Sequence, residues 1–123
     1  MTKTVKISTI TKRSEFILTS HGAREYTKGL NIQARRRNSE ECSNEKLIRV
    51  GITCSKKIGN AVKRNKAKRR LRELSRLIMP QNAKKGWDYV LLGKPEETCY
   101  RSFELLVTDL ETALKKVHKR REK

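Results

Sequence analysis

The sequence is poor in the residues on which small secreted proteins and membrane proteins depend. It has three cysteines, two prolines, one Trp, three Tyr and two Phe among 123 residues. Cys42, Cys54 and Cys99 form no Cys-x-x-Cys pair, and His21 and His118 lie far from them, which argues against a disulfide framework and a zinc site. No apolar run approaches the roughly 20 residues that span a bilayer, and no apolar signal segment follows the N-terminus. We therefore expect a cytoplasmic protein without a membrane partner.

Acidic residues are scarce relative to basic ones. Asp and Glu number 13 against 31 Lys and Arg, which gives a net charge of +18 at pH 7. Charge of one sign destabilises a compact chain by self-repulsion unless a polyanion neutralises it. Nucleic acid is therefore the leading partner class. Hydrophobic residues make up 35% of the chain, enough for one modest core, and the length allows one domain.

The segment from Lys56 to Arg76 concentrates this charge. It holds ten Lys or Arg residues and a single acid, Glu73. A helix that begins after Asn60, a residue type suited to capping a first turn, turns by 100° per residue. That rotation places an apolar stripe on one side, formed by Ala67, Leu71, Leu74 and Ile78. The opposite side carries Asn65, Arg69, Arg72 and Arg76, flanked by Arg64 and Lys68.

This cationic face is suited to phosphate groups. The planar fork of arginine makes bidentate phosphate contacts that lysine cannot make. A DNA-binding helix-turn-helix needs a compact helical unit, whereas strand patterns flank this helix. Proteins recognise folded RNA mainly through its backbone and shape. The pattern therefore favours RNA over DNA.

The sequence patterns predict one domain with basic ends. We expect a flexible basic arm over 1–10, a single RNA-binding domain over 11–119 and a basic tail over 120–123. Within the domain, periodicity predicts a helix over 11–20, a strand over 24–36, a polar loop over 38–45, a strand over 47–53, a helix over 61–79 closed by Pro80, a strand over 87–93 and a helix over 100–119. This order indicates an α+β fold, an α/β sandwich with helices against one sheet. Trp87 and Tyr89 are expected in the core, and His21 and His118 on the surface.

The basic segment resembles one bacterial protein family. From Lys56 to Glu73 it reads Lys-Lys-Ile-Gly-Asn-Ala-Val-Lys-Arg-Asn-Lys-Ala-Lys-Arg-Arg-Leu-Arg-Glu. This is similar to the Gly-Asn-Ala-Val-x-Arg-Asn-Arg-x-Lys-Arg-x-x-Arg stretch of the bacterial ribonuclease P protein subunit. Weaker matches at 12–16, 49–57, 86–92 and 102–106 extend the resemblance over about residues 10–117.

The resemblance implies both a fold and a role. The fold is a ribosomal S5 domain 2-like sandwich, whose crossover around the basic helix is left-handed. The role is that of the protein subunit of ribonuclease P, in which the RNA subunit carries the active site. That RNA removes the 5′ leader from precursor tRNA with Mg²⁺, which the RNA mainly holds, while the protein assists. The implied partners are the catalytic RNA and precursor tRNA, not DNA, and no catalytic or metal-binding residue is expected in this chain.

The resemblance also assigns roles to particular residues. Phe16 matches an aromatic of the family's cleft for the single-stranded leader, with Gln33 and Arg35 on the following strand. The motif departs from the family at Lys66, which keeps the charge but loses the bidentate geometry of arginine. Where some members have further cleft aromatics, this chain has Ser20 and Gln33, so we expect less stacking there. The side chains implied to face the catalytic RNA are Lys56, Lys57, Asn60, Arg64, Asn65, Lys66, Lys68, Arg69, Arg72 and Arg76.

Three other functions fit parts of the pattern. A ribosomal or ribosomal-RNA-binding structural protein would have the same composition. A stand-alone RNA-cleaving enzyme would need convergent carboxylates, and no carboxylate pair, nucleophile elbow or Walker-type loop is visible. A DNA-binding regulator would prefer duplex DNA over folded RNA. The sequence favours a non-catalytic subunit whose basic helix screens the repulsion between two RNAs.

Overall fold

One mixed sheet organises the chain in the computed structural model, which describes residues 7–37 and 47–121. The predicted loop over 38–45, most of the predicted arm and the last two residues of the tail lie outside the described residues. The strands are β1 (Ile7–Thr9), β2 (Ala23–Tyr26), β3 (Leu30–Arg36), β4 (Ile48–Thr53) and β5 (Trp87–Gly93). The helices are α1 (Arg13–Ser20), α2 (Ala61–Asn82), α3 (Glu97–Tyr100) and α4 (Phe103–Arg121).

The sheet has the strand order β1-β4-β5-β3-β2. Strands β1, β4 and β5 run parallel, while β3 pairs antiparallel with both β5 and β2. Helix α2 connects the neighbouring parallel strands β4 and β5. The predicted α+β fold with helices against one sheet is confirmed, and the left-handed sense of this crossover stays a prediction.

The hydrophobic core lies between the sheet and helices α2 and α4. Alternate residues of a strand point to opposite faces, and one set from each central strand joins the core. Trp87 and Tyr89 are buried there, as predicted. The predicted apolar stripe of α2 is also buried, which leaves the opposite side of that helix to solvent. Core members from the strands include Leu30, Ile32, Ile48 and Leu91, and those from the helices include Leu71, Leu74, Leu106, Leu110 and Leu114.

Two strand predictions need correction. The continuous strand predicted over 24–36 is a hairpin, because β2 and β3 pair antiparallel around a turn in which the Thr27 N–H donates to the Leu30 carbonyl at 3.0 Å. The predicted arm over 1–10 includes β1, in which Ile7 lies opposite Ile48 of β4. In both cases the pairing partner decides the structure, and short alternating segments do not reveal that partner.

Helix α2 continues through Pro80, which was predicted to close it. A proline removes a single backbone donor, and two other bonds hold this last turn. The Ala83 N–H donates to the Met79 carbonyl at 2.8 Å, and the side-chain amide of Asn82 donates to the Ile78 carbonyl at 2.8 Å. The helix therefore ends at Asn82.

The helix predicted over 100–119 corresponds to α4, which begins at Phe103, and the short helix α3 precedes it where a loop was expected. Arg101 has extended backbone angles (φ −64°, ψ 143°) and separates α3 from α4. Residues 120 and 121, predicted as part of the tail, continue the backbone of α4. Among the helices that the structure describes, none combines the length and the apolar character needed to cross a membrane.

His118 is buried, contrary to its predicted surface position. Its Nε2 lies 2.6 Å from the Tyr89 hydroxyl, and its ring meets that of Trp87 edge-on at 5.0 Å between centroids. The Tyr89 oxygen also accepts the backbone N–H of Lys84 at 2.8 Å. Burial raises the pKa of Tyr89 well above its ordinary value. This cluster fixes α4 against β5.

Candidate nucleic-acid interface

The start of α2 is shaped by an amide cap and a glycine. The Asn60 Oδ1 accepts the backbone N–H of Lys63 at 3.0 Å, which confirms the predicted cap. Gly59 has a φ of +135°, a conformation that residues with a side chain rarely adopt. Lys56 and Lys57 lie in the short 3₁₀ turn before this glycine, and both are exposed. The turn therefore adds two cations beside the first turn of α2.

Replacing Asn60 with Ala should lower the free energy of unfolding by about 1 kcal/mol, because the first turn loses its side-chain acceptor. Asn60→Ser should retain most of that stability, since serine also caps helices. Chemical denaturation followed by tryptophan fluorescence measures both variants. Equal losses in the two would contradict a stabilising role for the cap.

The outer side of α2 carries a cationic ladder, defined as Asn65, Arg69, Arg72 and Arg76, and all four residues are exposed. The acid of this helix, Glu73, pairs with Arg76, and their side chains are 46% and 68% exposed. An ion pair as open to water as this one contributes little. The ladder therefore presents a strongly positive surface to the solvent.

One flank of the ladder has an unsatisfied donor. Arg64 and Lys68 are partly exposed there. The Arg64 Nε is buried and has no hydrogen-bond partner among the described residues. Buried donors are almost always paired in folded proteins. The Nε of Arg64 is an exception, because it is both buried and unpaired among the described residues.

The other flank of the ladder packs against α3. The Lys66 Nζ lies 4.6 Å from the centroid of the Tyr100 ring. Arg70 donates through Nη1 to the Thr98 carbonyl at 2.9 Å. Arg70 is therefore committed to an internal contact, while Lys66 stays at the edge of the ladder.

A cleft of about 460 Å³ connects the ladder with the edge of the sheet. It brings Phe16 of α1 together with two guanidinium groups of α2 over an apolar floor. An aromatic ring beside cations is the arrangement that holds a single nucleic-acid strand, since bases stack on the ring and phosphates meet the charge. The lining residues are Ile7, Ser8, Thr9, Ile10, Phe16, Val50, Ile52, Arg72, Ser75, Arg76 and Pro80.

Gln33, predicted to share a cleft with Phe16, does not line this one. It belongs to the other face of the sheet, in a row with Val90 and Gly51. The Phe16 ring packs over that row, since a Cβ at Gly51 would lie 2.6 Å from it. Gln33 is partly exposed in this row, between Val90 and Arg24 of β2. Phe16 thus reaches both the cleft and this face.

Arg35, also predicted as a cleft residue, is buried, and the prediction needs correction. Its Nη2 lies 3.4 Å from the Asp88 Oδ2 on the neighbouring strand. Guanidinium groups suit phosphates and carboxylates equally well, so the sequence pattern did not distinguish the two partners. Arg35 belongs to an internal ion network instead of the cleft.

Asp88, which the sequence did not single out, is the centre of that network. Its side chain is fully buried, and Arg49 donates to both of its oxygens, through Nε and Nη2, each at 2.7 Å. Arg37 donates through Nη1 at 2.5 Å. Arg49 also pairs with Glu15 of α1. The network therefore ties α1, and with it the cleft aromatic, to three strands of the sheet.

Within residues 7–37 and 47–121, no group of three His, Cys, Asp or Glu side chains is placed to hold a metal ion. Cys54 is half-buried and Cys99 is buried, and both are free thiols. Burial raises the pKa of the Cys54 thiol, which disfavours its metal-binding thiolate form. These residues thus contain no such three-ligand cluster for the Mg²⁺, which the resemblance assigns mainly to the RNA.

Comparisons with known proteins agree on one family. The family model described as Ribonuclease P matches residues 5–118. The ribonuclease P protein component of Ruegeria pomeroyi is 49% identical over 112 residues, which are 91% of this chain and 87% of that protein. The corresponding component of Paramagnetospirillum magneticum is 40% identical over 113 residues, covering 91% of this chain and 84% of the relative.

Solved structures extend the similarity to the fold. The RNase P protein of Staphylococcus aureus superposes with a TM-score of 0.68 at 26% identity, covering 89% of this chain and 94% of that one. The RNase P protein of Thermotoga maritima superposes with a TM-score of 0.70 at 24% identity, covering 89% and 97%. At that identity, the second match supports the shared fold.

Proposed function

The chain belongs to the ribonuclease P protein family, and from that premise we propose that α2 binds the catalytic RNA while the neighbouring cleft binds the precursor leader. The chain is a protein subunit of ribonuclease P. The observation that carries the proposal is the exposed cationic ladder on α2, in a chain of net charge +18. Phosphate contacts from such a face supply most of the affinity for a nucleic acid. The ribosomal alternative is not favoured by the comparisons.

In this proposal the chemistry belongs to the RNA, and the protein acts by charge and position. Each of Arg69, Arg72 and Arg76 follows the previous one by three or four residues, so successive members lie about 4.5–6 Å apart along the helix axis. Cations fixed at this spacing lower the repulsion between the phosphates of the catalytic RNA and those of precursor tRNA. Mg²⁺ would be held mainly by the RNA. The proposed location is the cytoplasm, where both partners would meet the protein.

The cleft would add a preference for precursor over product. Phe16 offers a ring on which a leader base stacks, a contact worth roughly 1–3 kcal/mol. Arg76 lines the same cleft and would contact a leader phosphate. Gln33, partly exposed beside α1, is proposed as a polar leader contact. Mature tRNA lacks the leader and cannot make these contacts, so precursor should bind more tightly.

Reconstitution tests the proposed function. Precursor tRNA with a 5′ leader is incubated at low Mg²⁺ concentration with the catalytic RNA alone, with this protein alone and with both. We expect efficient cleavage only with both components. We also expect the complex to bind precursor more tightly than mature tRNA.

Three results would contradict the proposal or a part of it. Cleavage by the protein alone would make the chain an enzyme in its own right. Tight RNA binding without any effect on cleavage would favour a structural RNA-binding role instead. Equal binding of precursor and mature tRNA would contradict the proposed leader contacts but not the proposed RNA surface on α2.

A further inference from the structure

Tyr100, the last residue of α3, places an exposed aromatic ring beside the cationic ladder. The residue is 57% exposed. The ammonium group of Lys66 lies over this ring at 4.6 Å. Arg69 follows Lys66 by three residues, so the two side chains leave the helix only about 60° apart. The ring therefore lies at the edge of the surface proposed to contact RNA.

The backbone that carries Tyr100 is fixed against α2. Thr98 is fully buried, and its carbonyl accepts a hydrogen bond from Arg70 at 2.9 Å. Cys99 is also buried, and its Sγ donates to the Lys63 carbonyl at 3.3 Å. A ring on such an anchored segment loses little conformational entropy when a ligand covers it.

Hydrogen bonds also hold the residues on both sides of Tyr100. The Thr98 hydroxyl donates to the Gly29 carbonyl at 2.6 Å and accepts the Lys94 N–H at 2.8 Å. On the other side of Tyr100, Arg101 donates through Nε to Asp109 at 2.8 Å. The fold therefore keeps Tyr100 on the surface, because hydrogen bonds hold the residues on both sides of it in place.

A fixed and exposed ring on a cationic surface suits one class of ligand. Nonspecific single-strand sites combine a charged track with aromatic rings on which bases stack. We propose that Tyr100 stacks on an unpaired RNA base whose neighbouring phosphates lie against Lys66 and the cationic ladder. The inference rests on the proposed function, because it requires RNA on the exposed side of α2.

Substitutions at Tyr100 test the stacking contact. Tyr100→Ala should weaken RNA binding roughly fivefold to a hundredfold, whereas Tyr100→Trp, which keeps a stacking surface, should bind like the unchanged protein. Tyr100→Leu keeps an apolar side chain without a π face and should behave like Tyr100→Ala. The full-length variants are titrated separately with the catalytic RNA and with a single-stranded leader oligonucleotide. The RNA whose affinity falls is the one that supplies the base.

RNA affinity measured over a series of salt concentrations distinguishes a stacking contact from a phosphate contact. A stacked base releases no counterion, so Tyr100→Ala should leave the slope of log affinity against log salt unchanged. Lys66→Ala should reduce the magnitude of that slope by about 0.7–0.9. If Tyr100→Ala reduces the slope as Lys66→Ala does, Tyr100 only positions the lysine, and the stacking proposal is wrong.

Two further results would overturn the inference, and a reference variant identifies which claim has failed. Unchanged binding of both RNAs by Tyr100→Ala, or full binding by Tyr100→Leu, would exclude a stacked base. The reference is the double variant Arg69→Ala with Arg72→Ala. If the reference loses affinity while Tyr100→Ala does not, the inference about Tyr100 fails alone. If neither variant loses affinity, the proposed RNA surface on α2 fails as well.

Discussion

Replacing Asp88 with Asn is expected to lower the free energy of unfolding by about 3–5 kcal/mol. The Asp88 carboxylate is fully buried and accepts hydrogen bonds from Arg37 and Arg49, with Arg35 at 3.4 Å. Asparagine has nearly the same shape but no negative charge. The three guanidinium groups would then lose the counter-charge that they share in a region with little water. Removing one member of a buried charge group is costly because the remaining charges stay desolvated.

Chemical denaturation measures this loss through the fluorescence of Trp87, the single tryptophan of the chain, which is buried next to Asp88. Glu73→Gln is a matched control, because it removes the same charge from an exposed pair with Arg76. The control should change stability by less than about 1 kcal/mol. Similar losses in the two variants would contradict a stabilising role for the buried network.

The features that could be predicted from the sequence are those set by close neighbours in the chain. The cap at Asn60 and the buried stripe of α2 depend on residues three or four positions apart, and both are confirmed. Strand β1 depends instead on β4, so its three residues carry too little local pattern. The hairpin of β2 and β3 turns through Thr27-Lys-Gly29, which lacks the Asn-Gly signal of the tightest hairpins. Its two strands therefore appeared to be one.

The same distinction applies to the candidate site. Helical geometry alone brings the ladder residues to one exposed face, so their spacing was sufficient to predict them. Arg35 lies opposite Asp88 only because β3 and β5 pair in one particular register. The chemistry of an arginine is the same whether it meets a carboxylate or a phosphate, so the sequence could not assign its partner. No sequence pattern marked Tyr100 as a site residue either, because its exposure depends on how α3 packs against α2.

Removing two arginines of the ladder, by Arg69→Ala with Arg72→Ala, is expected to have the largest effect on RNA binding. A hydrogen bond to a charged group is worth about 1.5–3 kcal/mol, so losing two should weaken binding of the catalytic RNA by about a hundredfold to ten-thousandfold. The side chains are exposed, so the fold should tolerate the change. The slope of log affinity against log salt should fall in magnitude by about 1.4–1.8 for two lost phosphate contacts.

The Mg²⁺ requirement of the reconstituted enzyme provides a second measurement. If the ladder screens repulsion between the two RNAs, the double variant should need more Mg²⁺ for the same cleavage rate. A variant with Lys115→Ala and Lys119→Ala is the matched control, since it removes two exposed charges from a different helix, α4. An unchanged Mg²⁺ requirement in the ladder variant would contradict the screening role.

The control also distinguishes the effect of local phosphate contacts on RNA affinity from that of the electrostatic field of the whole protein. A chain of net charge +18 attracts RNA at long range, and both double variants reduce that charge by the same two units. If the long-range field dominates, the two variants should lose affinity equally. If the ladder makes direct phosphate contacts, only Arg69→Ala with Arg72→Ala should lose affinity by orders of magnitude. Because arginines at helical spacing can each make a bidentate phosphate contact, we expect the second result.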